Sequence, residues 1–230
     1  MKSNVEHIAI RLSEVLGAKT GFITSIVGQK KNKNRFSLFV NDVFIIGISD
    51  SCLVNFNLKK GDHFDQLILD QILTFEKNWS ARNYLLRLLS RRDHSGHELK
   101  QKALKKGLES KVIDKIILEL DEKGYINNAE FAWKFAHDKF EFNKWGPQKI
   151  QLELVKKGVS KKDIATALDS VSKDDQVSKM NSIFEKSVSK FLRTDPSKRR
   201  KKIFDFFLRK GYDTDQILKE LPKWLIELES

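Results

Sequence analysis

Leu104-Lys105-Lys106-Gly107, Val155-Lys156-Lys157-Gly158 and Leu208-Arg209-Lys210-Gly211 are three copies of one phrase, with glycines 51 and 53 residues apart. Basic side chains beside the last carbonyls, followed by a glycine able to take positive φ, spell the end of a helix. Each glycine is followed by an apolar residue (Leu108, Val159, Tyr212) and then by a candidate cap, Ser110, Ser160, and Asp213 or Thr214. Apolar residues recur six and ten positions after each glycine: Ile113 and Ile117, Ile164 and Leu168, Ile217 and Leu221. A stop signal, a start signal and a two-point apolar register that recur together define an internal repeat.

Working outward, more helix precedes each phrase. Tyr84, Leu85, Leu88 and Leu89 form one stripe, Leu99 and Leu104 another. In the second repeat Phe131, Ala132 and Phe135 precede Trp145-Gly146-Pro147, where proline suits the first turn of a new helix. In the third, Val177, Met180, Ile183, Phe184, Val188 and Phe191 run to Thr194-Asp195-Pro196. The reading is mainly α: tandem three-helix repeats over residues 66–125, 126–173 and 174–230, stacking into an elongated, curved body.

The N-terminal third differs. Residues 4–16 space apolar groups at helical intervals, giving a helix or arm over residues 1–21. Residues 22–65 form a small β-containing (α+β) domain of about three strands. There a basic loop, Gln29 to Asn34, precedes two β-rich runs, and Asn41-Asp42 between those runs signals a tight hairpin. Ser49-Asp50 caps a short helix through Cys52, Leu53 and Phe56, and Lys59-Lys60-Gly61-Asp62 is a turn into the next helix.

The chain has 230 residues, 40% of them hydrophobic and 32% charged, with only 11 Gly and 3 Pro, a composition that buries a core and favours helix. Its net charge is +12, and the excess is lopsided: residues 1–79 carry 10 basic and 8 acidic groups, residues 80–230 carry 33 and 23. Such a surplus favours polyanions or an acidic protein. One cysteine, Cys52, excludes an internal disulfide and a multi-thiolate metal site. No stretch is apolar enough to span a bilayer and no signal peptide is read, so the expectation is a cytoplasmic protein with no membrane partner.

Nothing spells catalysis. Glycine-rich phosphate cradles are missing. His94 and His97, on Asp93-His94-Ser95-Gly96-His97-Glu98, read as an exposed loop rather than a metal grip, and Cys52 as a buried thiol rather than a nucleophile. No metal, cofactor or enzymatic activity is expected. Two basic clusters remain. Arg87, Arg91 and Arg92 form one, with Arg87 and Arg91 at helical spacing. Lys198-Arg199-Arg200-Lys201-Lys202 form the other, on the first turns of a helix where cations oppose the dipole and local stability does not explain them.

These residues resemble the RecX family, bacterial regulators of the RecA recombinase. The resemblance lies in Ala81-Arg82-Asn83-Tyr84-Leu85-Leu86-Arg87-Leu88-Leu89-Ser90-Arg91-Arg92-Asp93-His94-Ser95 with Glu98-Leu99. It continues in Leu120-Asp121-Glu122-Lys123-Gly124-Tyr125-Ile126, Glu130-Phe131-Ala132, Trp145-Gly146-Pro147-Gln148-Lys149-Ile150, Glu153-Leu154 and Lys157-Gly158-Val159. It covers residues 80–171 well and the remainder loosely. Asn127-Asn128 stand where the family usually carries acidic residues, and the leading helix and sheet read as additions to the shortest members.

The resemblance implies docking in the groove of a RecA filament on single-stranded DNA, blocking its ATPase, strand-exchange and coprotease activities without chemistry of its own. The contacts expected on that reading are Arg87, Arg91, Arg92, Lys105, Lys106, Lys149, Lys156 and Lys157, with Lys198, Arg199, Arg200, Lys201 and Lys202 as a further anchor, from a monomer. Trp145 is an interfacial aromatic, or else a core or hinge residue. The alternative is a helical-repeat DNA-binding protein acting independently of a recombinase.

Overall fold

The computed structural model describes residues 20–169 and 173–229. The leading helix expected over residues 4–16 lies outside them. The chain divides into two compact units, residues 1–87 with 103–116, and residues 88–102 with 117–230.

The first unit is built on β1 (Gly21–Gln29), β2 (Asn32–Val40), β3 (Val43–Ser49) and β4 (His63–Phe64), in the order β3-β2-β1-β4. Asn41 and Asp42 turn with φ of 48° and 63°, the positive pair that a tight two-residue hairpin needs. The basic loop expected at Gln29 to Asn34 is instead a second tight turn at Lys30-Lys31. Gln29 pairs with Asn32, so Asn32 to Asn34 are strand. A fourth strand joins the expected three because the turn at Gly61 (φ 92°) folds back on β1, with Ile23 N–H donating to Asp62 O at 2.9 Å.

Ser49 caps α1 (Asp50–Asn55), its Oγ accepting Cys52 N–H at 3.1 Å. The core joins Ile23, Leu38, Val40, Ile46, Ile48 and Cys52 to Leu69 and Ile72 of α2 (Gln66–Leu89). Glu76 of α2 is buried there. It accepts from Ser49 N–H at 2.7 Å and Ser49 Oγ at 2.6 Å, and pairs with Arg35 at 3.2 Å. Arg35 also donates to Gly47 O at 2.6 Å, so the one carboxylate ties three strand residues to the helix.

The helical region continues with α3 (Gly96–Lys105), α4 (Ser110–Glu122), α5 (Asn128–Glu141), α6 (Pro147–Lys156) and α7 (Lys161–Asp169). It ends with α8 (Lys173–Glu185), α9 (Val188–Leu192), α10 (Pro196–Lys210) and α11 (Thr214–Glu227). The three phrase glycines take φ of 83°, 69° and 87°. Each closes its helix with the same two bonds, for instance Val159 N–H to Leu154 O and Gly158 N–H to Val155 O. Gly124 repeats the device at the end of α4.

Counted from each glycine, the residues eight and four before it are buried in all three copies: Leu99 and Ala103, Ile150 and Leu154, Ile203 and Phe207. The residue six after it is buried as well (Ile113, Ile164, Ile217), whereas the tenth is only half-buried in the first two copies (Ile117, Leu168). Caps two residues after the glycine hold for Ser160 and Asp213. In the first copy that position is Glu109, and Ser110 is already helical, so it does not cap.

The third repeat departs from three helices. Its expected continuous run breaks at Lys186-Ser187 into α8 and α9. The break lets Phe184 and Phe191 stack at 5.7 Å within an aromatic core that also holds Phe207, Tyr212 and Trp224.

Candidate functional site

Helix ends leave backbone donors and acceptors unsatisfied, and in the second unit these ends meet one another. At the N-terminus of α3, Ser95 Oγ accepts Glu98 N–H at 3.1 Å and donates to the Lys157 carbonyl at the end of α6 at 2.6 Å. Gly96 N–H donates to Asn128 Oδ1 at 3.1 Å. At the N-terminus of α6, Gly146 N–H donates to the Lys210 carbonyl of α10 at 2.7 Å, and Gln148 N–H to the Gly211 carbonyl at 3.0 Å. The middle helices of the repeats are thus chained head to tail, donor end to acceptor end, an arrangement that also aligns their dipoles.

Side chains lock both joints. Lys157 Nζ reaches Glu98 at 2.5 Å, and Glu98 also takes Arg92 at 3.1 Å. Burial by itself raises the Glu98 carboxyl, but the hydrogen bonds from Lys157 and Arg92 outweigh it and hold the group below the usual carboxylate range. His94 is buried against the Arg92 carbonyl at 2.9 Å, so the segment read as an exposed loop is part of the joint. Burial above all lowers the His94 pKa. Among the described residues no three His, Cys, Asp or Glu side chains gather as metal ligands. Cys52 and Tyr212 are raised chiefly by burial, Cys52 to about 12.

The structure separates the thirteen expected contact residues. Arg87 and Arg91 are exposed, but α2 ends at Leu89 and Arg91 lies in the following turn, so the two do not share a helical face. Arg92 is drawn to Glu98 and to the Asp93 carbonyl. Lys105 and Lys106 are exposed, Lys156 pairs with Glu153 at 2.7 Å, and Lys157 sits in the first joint. Lys149 lies over Trp145 at 4.5 Å. In the basic run, Arg199 donates to Thr194 O at 3.1 Å and Leu192 O at 3.3 Å, and Lys202 to Thr194 Oγ1 at 2.6 Å. Local structure therefore does account for two of the five cations: Arg199 satisfies carbonyls at and just after the end of α9, and Lys202 donates to the Thr194 hydroxyl. Lys198, Arg200 and Lys201 stand exposed.

Three lysines were missed. Lys144, Lys190 and Lys210 surround the second joint together with Lys149. Lys210 stands in the third copy of the repeated phrase, which was signal enough to include it. Lys144 and Lys190 carry no local sign.

Among the described residues no helix is long and apolar enough to cross a membrane.

Family models for the Regulatory protein RecX N-terminal domain, the first RecX three-helix domain and the second match residues 21–65, 81–120 and 127–168. The sheet read as an addition thus matches a family domain itself. The chain is 31% identical over 205 residues to Regulatory protein RecX of Clostridioides difficile (strain 630), covering 89% of this chain and 96% of that one. It is 32% identical over 196 residues to Regulatory protein RecX of Bacillus subtilis (strain 168), covering 85% and 74%. Two solved structures share the fold. A crystal structure of regulatory protein RecX has a TM-score of 0.72 at 19% identity, over 89% of this chain and 100% of the other. That of RecX from Lactobacillus salivarius has 0.57 at 24%, over 66% and 97%.

Proposed function

The chain belongs to the RecX family of regulatory proteins, and on that footing we propose that it is a negative modulator of the RecA recombinase. It binds the RecA–single-stranded DNA filament in the cytoplasm, as a monomer, and lowers the filament's ATPase, strand-exchange and coprotease activities by occupancy. No cofactor or chemistry of its own takes part.

The observation that carries this reading is the head-to-tail chaining of helix ends in the second unit, where α6 and α10 each close on two basic residues: Lys156 and Lys157, Arg209 and Lys210. A helical filament presents its subunits and phosphates at a fixed period. Modules coupled through hydrogen-bonded joints can meet such a lattice at several points, which keeps the entropic cost of binding low. The +10 balance of residues 80–230 adds attraction to the anionic fibre.

The test is RecA ATP turnover on single-stranded DNA, with the purified protein added well below one copy per recombinase. Turnover falls if the proposal holds, and unchanged turnover at saturating protein ends it. Anisotropy on bare and recombinase-coated strands separates the alternative. Tighter binding to the coated strand supports the filament, whereas equal or weaker binding favours a DNA-binding protein independent of a recombinase.

A further inference from the structure

The joint between the second and third repeats gathers four lysines that no single helix brings together. Gly146 N–H on the Lys210 carbonyl, and Gly211 against the Lys149 backbone, bring the loop before α6 and the first turn of α6 to the end of α10. That contact sets Lys144, Lys149 and Lys210 side by side, and Lys190 comes from α9. The floor is aromatic: Lys149 Nζ lies 4.5 Å from the Trp145 ring centre, and Lys190 and Lys210 lie 4.6 Å and 5.3 Å from that of Phe206. Phe206 is in turn held edge-on by Phe191 and Phe207.

These amines are uncompensated. Elsewhere Lys77, Lys134, Lys156, Lys157 and Lys179 each pair with a carboxylate. Among the described residues Lys144, Lys149, Lys190 and Lys210 pair with none. Burial first, and then the charges of Lys144, Lys149 and Lys190, lower the Lys210 pKa, so the other three amines all act on Lys210. Anions entering from outside relieve repulsion of this kind while leaving the amines charged. Ring faces stabilise the ammonium groups but neutralise nothing, so the charge stays available.

We propose that Lys144, Lys149, Lys190 and Lys210, on the Trp145 and Phe206 floor, form a binding site for consecutive backbone phosphates of a single nucleic-acid strand. A strand supplies several anions in a row, matching several amines on three different segments, and its bases can pack against the half-buried rings. The site deepens the filament reading and rests on it only for which strand is met, that within the recombinase fibre.

The test uses the full chain with Lys144→Asn, Lys149→Gln, Lys190→Gln and Lys210→Gln combined. Asparagine suits position 144, where φ is 56°. A control carries Lys30→Gln, Lys31→Gln, Lys60→Gln and Lys123→Gln, all exposed and outside the joint. Circular dichroism verifies that both variants keep their helix content. Anisotropy of a labelled oligodeoxythymidylate is then followed across a salt series. The joint variant is expected to bind at least ~10-fold more weakly, with a log–log salt slope shallower by about 2–3, while the control shifts the slope by less than ~1.

Equal losses in both variants mean diffuse electrostatics and overturn the site. So does tripolyphosphate binding the wild type as tightly as the strand, which would mark a small-anion pocket. Unchanged strand binding with weakened binding to DNA-free RecA overturns it too, in favour of an acidic protein face. An unaltered salt slope with ATPase inhibition retained sinks this site and leaves the proposed function standing. A lost slope, in a protein whose wild type never slows RecA, sinks the proposed function and leaves the site.

Discussion

Ser95 Oγ donates to the Lys157 main-chain carbonyl at 2.6 Å across 62 positions of sequence, while accepting Glu98 N–H from its own helix. One hydroxyl thus begins α3 and receives the end of α6. The second joint does the same work with backbone alone, Gly146 N–H on Lys210 O, since a glycine cap has no hydroxyl to offer. Both junctions pair groups that would otherwise need water.

The phrase glycines therefore differ in cost. A Cβ at Gly107 meets nothing within 4 Å, whereas one at Gly158 falls 2.4 Å from His97 Cβ. Gly107→Ala is expected to lose about 1 kcal/mol from positive φ alone, and Gly158→Ala about 2–4 kcal/mol because overpacking adds to it. Urea unfolding followed by far-ultraviolet dichroism measures both. Equal losses would show that the joint does not constrain position 158.

Glu98→Gln weakens the first joint at neutral pH by about 1 kcal/mol. The folded Glu98 pKa is depressed, so its contribution is fully present above the unfolded carboxylate value and disappears as pH falls through the folded one. Wild type and variant should thus converge in stability only in acid, once pH has fallen below the folded Glu98 value. A gap that persists into acid contradicts the pairing with Lys157 and Arg92.

His94 is held neutral by burial, below the ordinary histidine value of 6.5. As pH drops past 6.5 the unfolded chain takes up this proton first, so stability present above that pH declines beneath it. Its ring proton resonance, followed by NMR, should titrate with a midpoint under 6.5. A midpoint at or above 6.5 refutes the buried environment.

Cys52 has a thiol pushed up to about 12, by burial first and by Glu76 next, and no exposed surface. A thiol-reactive chromogen should label it only at the rate of global or subglobal opening, and at full speed in denaturant. Rapid labelling of the folded protein would place the thiol outside the core.

Glu76→Ala removes the acceptor shared by Ser49 N–H and Oγ and leaves Arg35 unpaired, at an expected cost of about 3 kcal/mol. Arg35→Met with Glu76→Met should recover much of it, as apolar pairs of similar volume often do. No recovery in the double variant would assign the loss to packing rather than to the buried charge.

Much of the fold was legible because its signals are local. A glycine with positive φ after two cations, an asparagine–aspartate turn and a serine before Cys52 each act within a few residues, and each stands where the sequence puts it. The break between α8 and α9 was not legible, because apolar spacing continues through it. The fourth strand was not either, since two residues carry no period.

The sequence by itself determined the repeat, its register and the uneven charge, because helix ends and apolar periods are set by near neighbours along the chain. Only the tertiary structure decided what each cation does. Lys157 and Arg92 went to Glu98, Arg199 and Lys202 to the carbonyl and hydroxyl of Thr194, and Lys144, Lys149, Lys190 and Lys210 to one unneutralised cluster. Whether a lysine meets a carboxylate or another lysine depends on distances between residues far apart in sequence, and no local pattern contains them.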